Sequence, residues 1–186
     1  MKIISSKKPP DRLGHQNPFK SSGIRCLKVQ KPPELFFNTN STTKLLCCLN
    51  PEYIAGKMML VRAMVWDCPI WLIEPKSNPF SDLDNDISPD FVAMVPLQVE
   101  TCLGDPKALI KLKKISHLII GGAPLSQSLK SQLIENKISA WQTYGMTETV
   151  SHIALAKIDK GELEYQTLPN VEIGQDSEER SGSNRQ

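Results

Sequence analysis

Between residues 43 and 158 the chain repeats one pattern: a short apolar run of strand length, then a stretch of helical character, then another run. "TKLLCCL" (43–49), "CPIWLIEP" (68–75), "DFVAMV" (90–95), "KISHLII" (114–120), "SAWQTYG" (139–145) and "SHIALAKI" (151–158) are the runs. Apolar on consecutive positions, they predict strands buried on both faces, which is the sequence character of parallel strands rather than of a half-exposed antiparallel sheet. Between them, Glu52 to Trp66 is apolar on nearly all sides, as a helix packed on a sheet should be. The chain turns helical after Pro96, and "QSLKSQLIENK" has the pattern of an amphipathic helix. Strands alternating with helices predict an α/β protein with a largely parallel sheet and flanking helices.

The two ends differ from this core. Residues 1–42 are rich in Pro, Lys and Ser, with "KKPP" and "QKPPE" opposing helix formation. Residues 1–35 hold eight Lys or Arg against Asp11 and Glu34, although the whole 186-residue chain carries only +2. Without interleaved aromatics, this basic arm is expected to be a solvated, poorly ordered lead and not a nucleic-acid-binding element. The core is expected to span 43–174, with 175–186 a disordered tail. The longest apolar region, "YIAGKMMLVRAMVW", is broken by Lys57 and Arg62 and is too short to span a bilayer. Five cysteines show no paired metal spacing, and Cys47 and Cys48 are expected as buried small hydrophobes on opposite sheet faces. That usage fits a reducing compartment, so the expectation is a soluble, cytoplasmic protein.

In open parallel sheets ligands bind beyond the carboxyl ends of the strands. Two polar turns fall there, "GGAP" (121–124) and "YGMTETVSHIA" (144–154). Gly121 and Gly122 would admit a flat ligand to the backbone, or simply make a tight turn. Tyr144 offers a ring face for stacking, or a core contact. Thr147 offers a hydroxyl to a phosphate oxygen. Glu148 offers a carboxylate to Mg²⁺, which needs only one or two from the protein when phosphates supply the rest; a lone Glu in a turn is otherwise a surface residue. Together the two turns describe a pocket for a magnesium nucleotide.

"GGAPLS" followed by "YGMTET" resembles the acyl-adenylate-forming superfamily of acyl-CoA synthetases, luciferases and peptide-synthetase adenylation domains. The resemblance implies a partial N-terminal domain of such an enzyme. It places Gly121, Gly122, Ala123, Pro124, Tyr144 and Gly145 around the adenosine, with Tyr144 stacked on adenine. Thr147 would hold the α-phosphate and Glu148 would bind Mg²⁺, both in catalytic roles. "NPEYIAGKMMLVRA", "AMVPLQV" and "YGMTETVSHIAL" are similar to the o-succinylbenzoate–CoA ligase family of menaquinone biosynthesis. That likeness implies ATP, Mg²⁺ and coenzyme A as cofactor and co-substrates, an aromatic acid held near Arg62 and Ser151, and is compatible with a homo-oligomer. Without it, Arg62 reads equally as a cation snorkelling from a buried helix. His152 either lines the acid pocket or satisfies a core hydrogen bond, with the sequence leaning to the second, and His117 reads as a strand residue.

The resemblance also implies parts that are hard to find. Ahead of residue 43 only Ser21 to Gly23 and Lys28 correspond to a phosphate loop. By the resemblance, a ribose-binding Asp should come beyond "LPNVEIG" and a catalytic Lys from a C-terminal domain, and the chain is expected to stop short of both. The expectation is thus a ligase core, truncated and with little activity alone. The alternatives are a non-catalytic nucleotide- or acyl-binding module derived from the family, and a poorly folding relic with unpaired sheet edges.

Overall fold

The computed structural model describes residues 24–29, 34–145, 149, 151–169 and 171–175. Its centre is a seven-stranded sheet. β2 (Leu45–Cys47), β3 (Ile70–Leu72), β4 (Phe91–Met94), β5 (His117–Ile120), β6 (Ala140–Gly145), β7 (His152–Lys157) and β8 (Tyr165–Thr167) lie in the order β3-β2-β4-β5-β6-β7-β8. The first five strands in that order are parallel, and the β6–β7 and β7–β8 pairs are antiparallel. The expected α/β architecture with a largely parallel sheet is therefore present.

The order reverses at β2. From β2 the chain crosses through α2 (Ile54–Trp66) to β3 on one side. It then re-enters on the other side of β2 with β4, and continues to β5 and β6 by way of α3 (Pro96–Gly104), α4 (Pro106–Leu112) and α5 (Gln127–Glu135). Crossovers of one hand running in opposite directions put their helices on opposite faces, and the packing agrees. Met59, Ala63 and Trp66 of α2 pack with Leu45, Phe91, Ala93 and Ile119. On the other face Val99, Leu112, Leu129 and Leu133 pack with Leu46, Val92, Met94, Leu118 and Ile120. Successive residues of each strand feed opposite layers, which is why these strands are apolar at every position. Cys47 and Cys48 follow the same alternation, one in each layer and both buried. Burial pushes the Cys48 thiol up to about 12.

The helices begin where local chemistry directs. Asp105 caps α4 by accepting from the Lys107 and Ala108 amides, with Pro106 at the first helical position, and Ser126 caps α5 by accepting from Leu129 N. At the start of α3, buried Gln98 accepts from Val95 N at 3.2 Å and donates to the carbonyls of Cys48 and Lys76, both at 3.0 Å. One amide thus ties together the chain leaving β2, β3 and β4. The uniform apolarity of α2 does not mean burial on every side, because Ile54, Met64 and Val65 are exposed.

Two elements lie inside the lead of residues 1–42, where the composition indicated none: β1 (Ile24–Val29) and the short α1 (Glu34–Phe37). β1 pairs antiparallel with β9 (Val171–Gln175), forming a separate two-stranded sheet. Phe37 of α1 is buried edge-on to Phe91 at 5.4 Å. His117 is half-buried at the head of β5, near the rings of Phe37 and Phe91. Among the described residues no helix is long and apolar enough to cross a membrane.

Candidate functional site

A cavity of about 370 Å³ opens at the carboxyl ends of the parallel strands, beside the point where the strand order reverses. Ala93, Met94 and Val95 at the end of β4 and Ile119, Gly121 and Gly122 at the end of β5 form part of its wall. Thr143 and Gly145 of β6, Ser151 and His152 at the start of β7, and Ile54, Ala55, Met58 and Arg62 of α2 complete most of the rest. Its size suits a small organic ligand.

Two of the glycines in its wall are required by the backbone itself. Gly122 has φ +85°, a conformation that other residues adopt only with strain. Gly145 sits where an irregularity in the β6–β7 pairing brings the strands together, and a Cβ there would fall 2.6 Å from His152 Cα and 2.7 Å from the Ser151 carbonyl. Ser151 is fixed by a local exchange, in which its amide donates to the Thr149 carbonyl and the Thr149 hydroxyl donates to its own carbonyl at 2.7 Å.

The cavity wall also holds a buried cation. Arg62 is 2% exposed, so it does not snorkel. Its Nη1 donates to Met59 Sδ at 3.5 Å, its guanidinium lies 5.8 Å from the centre of the Phe91 ring, and its Nη2 lies 3.2 Å from His152 Nδ1. Its Nε is buried without a partner. Among the described residues no carboxylate lies within ion-pair distance of it. Burial pushes its pKa down to about 10, which leaves it cationic at neutral pH. Burial, and then the neighbouring Arg62 charge, push the His152 imidazole down to about 3, so this ring is neutral. A buried cation without an anionic partner is costly, and a ligand that brings the anion would remove much of that cost.

Of the residues singled out in the sequence, Arg62, Gly121, Gly122, Gly145 and Ser151 are brought together around this one cavity. Ala123 and Pro124 continue from Gly122 as exposed residues outside its lining. Tyr144 is half-buried outside the lining too, its ring 5.9 Å from that of Tyr165 in an edge-on arrangement. Thr147 and Glu148 lie outside the described residues. Thr143 was not anticipated. The alternation along β6 is its signal, because Gly145, two residues on, faces the same space. For His152, the sequence favoured a core hydrogen bond; the ring makes one, and its partner is the cavity's own cation.

Residues 20–175 match the model of the AMP-binding enzyme family. Two curated relatives, both probable 2-succinylbenzoate–CoA ligases from strains of Mycobacterium tuberculosis, are each 28% identical over 110 residues, covering 56% of this chain and 29% of the relative. The chain is also similar to the crystal structure of an acyl-CoA synthetase (AMP-forming)/AMP-acid ligase II-like protein from Dyadobacter fermentans. The identity is 38% and the TM-score 0.68, over 73% of this chain and 39% of that one. The o-succinylbenzoate coenzyme A synthetase of Bacillus subtilis, solved in complex with ATP and magnesium ion, shares the fold with TM-score 0.57 at 20% identity, over 67% of this chain and 26% of that one. The chain therefore spans less than two-fifths of the length of each of these proteins.

Proposed function

Because the chain belongs to the AMP-binding enzyme family, we propose that its core, residues 43–174, holds the acid and nucleotide sites of an acid–CoA ligase acting on 2-succinylbenzoate or a close aryl acid. In the complete reaction the acid's carboxylate oxygen attacks the α-phosphorus of ATP and diphosphate leaves, giving an acyl-adenylate. The sulfur of coenzyme A then attacks the acyl carbon, the thiol proton is lost to solvent, and AMP departs as the thioester forms.

The observation that carries this reading is the buried Arg62 guanidinium, without a carboxylate partner among the described residues, in the wall of a cavity otherwise lined largely by apolar groups. Such a site favours an apolar acid over a neutral molecule of the same shape, since only the acid brings the missing charge. A dicarboxylic aryl acid can give one carboxylate to Arg62 and keep the other for reaction. Gly121 and Gly122 line the adjoining strand end, where Gly121 makes room for the Thr143 hydroxyl and Gly122 is assigned to close approach by the nucleotide. Thr147 and Glu148, which follow β6 in the sequence, are assigned to the α-phosphate and to Mg²⁺. Among the described residues no three His, Cys, Asp or Glu converge on a metal position. A cation here would thus depend on Glu148 together with phosphate oxygens, a division of ligands that suits Mg²⁺. When bound, the ion would offset charge on the phosphates. The part assigned to the chain's own groups is to bind the acid, orient it and shield it from water.

Equilibrium titration with 2-succinylbenzoate and with AMP, for the native chain and for Arg62→Met, tests the assignment. The acid should bind the native chain and lose at least tenfold in the variant, the loss expected for one charge-assisted contact of about 1.5–3 kcal/mol, while AMP binding is unchanged. Equal acid affinity in both proteins would overturn the assignment. Acid-dependent exchange of diphosphate into ATP then separates a working ligase core from a module that only binds.

A further inference from the structure

The contact between Arg62 and His152 joins helix α2 to strand β7 across the cavity wall. A guanidinium has only donors, so at 3.2 Å the Arg62 Nη2–H group donates and His152 Nδ1 accepts. The imidazole is then the neutral tautomer with its proton on Nε2, and that atom is buried without a partner. The choice of acceptor has a consequence. A carboxylate in the same place would hold a guanidinium more strongly and in two-pronged geometry, but it would also cancel the charge. The remaining contacts of Arg62 are uncharged as well, a thioether sulfur and an aromatic ring. Two buried nitrogens, Arg62 Nε and His152 Nε2, go unpaired in this arrangement. Most buried polar groups in native proteins are paired, and these two lie in or beside the cavity wall.

We propose that His152 is a positioning residue of the acid site, whose neutral Nδ1 fixes the guanidinium of Arg62 while leaving its positive charge uncompensated for the carboxylate of the ligand. This rests on the assignment of Arg62 made above. It adds a rule for what can stand at position 152: a neutral acceptor works, an anionic acceptor defeats the site, and an apolar group lets the guanidinium wander.

Three variants separate these cases: His152→Gln, whose amide oxygen can accept without charge, His152→Asp and His152→Leu. Each is titrated with 2-succinylbenzoate, with its dimethyl ester as a neutral probe, and with AMP as a control. His152→Gln should stay within about threefold of the native acid affinity, and His152→Leu should lose about tenfold, the worth of one hydrogen bond to a charged group. His152→Asp should lose the most acid affinity and bind the ester at least as well as the acid, reversing the native preference, with AMP binding unchanged throughout. A purely structural role predicts the opposite for His152→Asp, because that variant keeps the contact; acid binding at the native level there would overturn the proposal. Should His152→Asp not fold, the comparison of His152→Gln with His152→Leu decides, and equal affinities overturn it. Loss of acid binding in Arg62→Met with no effect at position 152 would remove this inference alone. Native binding in Arg62→Met would remove the reading beneath it.

Discussion

The neutral, buried state of His152 should make the stability of the fold depend on pH in a way that one substitution abolishes. In the unfolded chain this imidazole titrates near 6.5, whereas burial, and then the Arg62 charge, hold it down to about 3 in the folded protein. As pH falls below 6.5 the unfolded chain takes up a proton that the folded one refuses. The contribution is therefore fully present above pH 6.5 and is lost progressively as pH falls towards 3. Its slope there is about 1.4 kcal/mol per pH unit. Between pH 7.5 and pH 5.0 the loss amounts to about 2 kcal/mol.

The assay is urea unfolding at these two pH values for the native chain and for His152→Gln. Other titrating groups contribute to both proteins and cancel in the comparison. Among them is His117, whose pKa burial also lowers. The native chain should lose about 2 kcal/mol more than the variant on acidification. If both lose the same amount, His152 is not held neutral against Arg62, and the argument for its role in the acid site fails with it.

Two further outcomes concern stability. Arg62→Met, the variant expected to lose the acid, should be as stable in urea as the native chain or more stable by about 1 kcal/mol, because it removes a buried cation that no carboxylate among the described residues offsets; a marked destabilisation would mean the guanidinium is chiefly structural. Gly56→Ala should cost about 3 kcal/mol in the same assay, since a Cβ on this first turn of α2 would drive into the Asn50 carbonyl and come within 2.8 Å of Pro51 N; a loss below about 1 kcal/mol would show that the turn between β2 and α2 can give way.

Much of this fold is legible in the sequence because burial on both faces imposes a pattern that needs no context. "FVAM" and "HLII" are strands wherever they are read, and their buried neighbours on alternate sides follow from the pleat. The β1–β9 ribbon is not legible for a complementary reason. "IRCLKV" and "VEIGQ" mix polar and apolar residues, and their stability comes from pairing between segments separated by the whole core. α4 had local marks, Asp105 as cap and Pro106 after it, but at seven residues it is too short to show a clear period. Of the proposed site, the glycines at strand ends are readable because few other residues serve there. The role of Arg62 is not readable from its surroundings, since an apolar helix with one Arg describes a snorkelling side chain equally well.

What separates those two readings is topology. α2 belongs to the β2–α2–β3 crossover, which winds in the opposite direction from the crossovers that follow, so it packs on the face that α3 and α5 leave free. Ile54, Ala55, Met58 and Arg62 of α2 then line the cavity at the carboxyl ends of the strands, and Arg62 is buried there instead of facing solvent. The antiparallel return of β7 beside β6 brings His152 to the same end of the sheet, next to Gly145. Neither residue carries a local mark of the other, being separated by the length of the core. Their meeting follows from one reversal of strand order and one antiparallel turn, which is why a polar pair this specific can be built from two segments that each look ordinary.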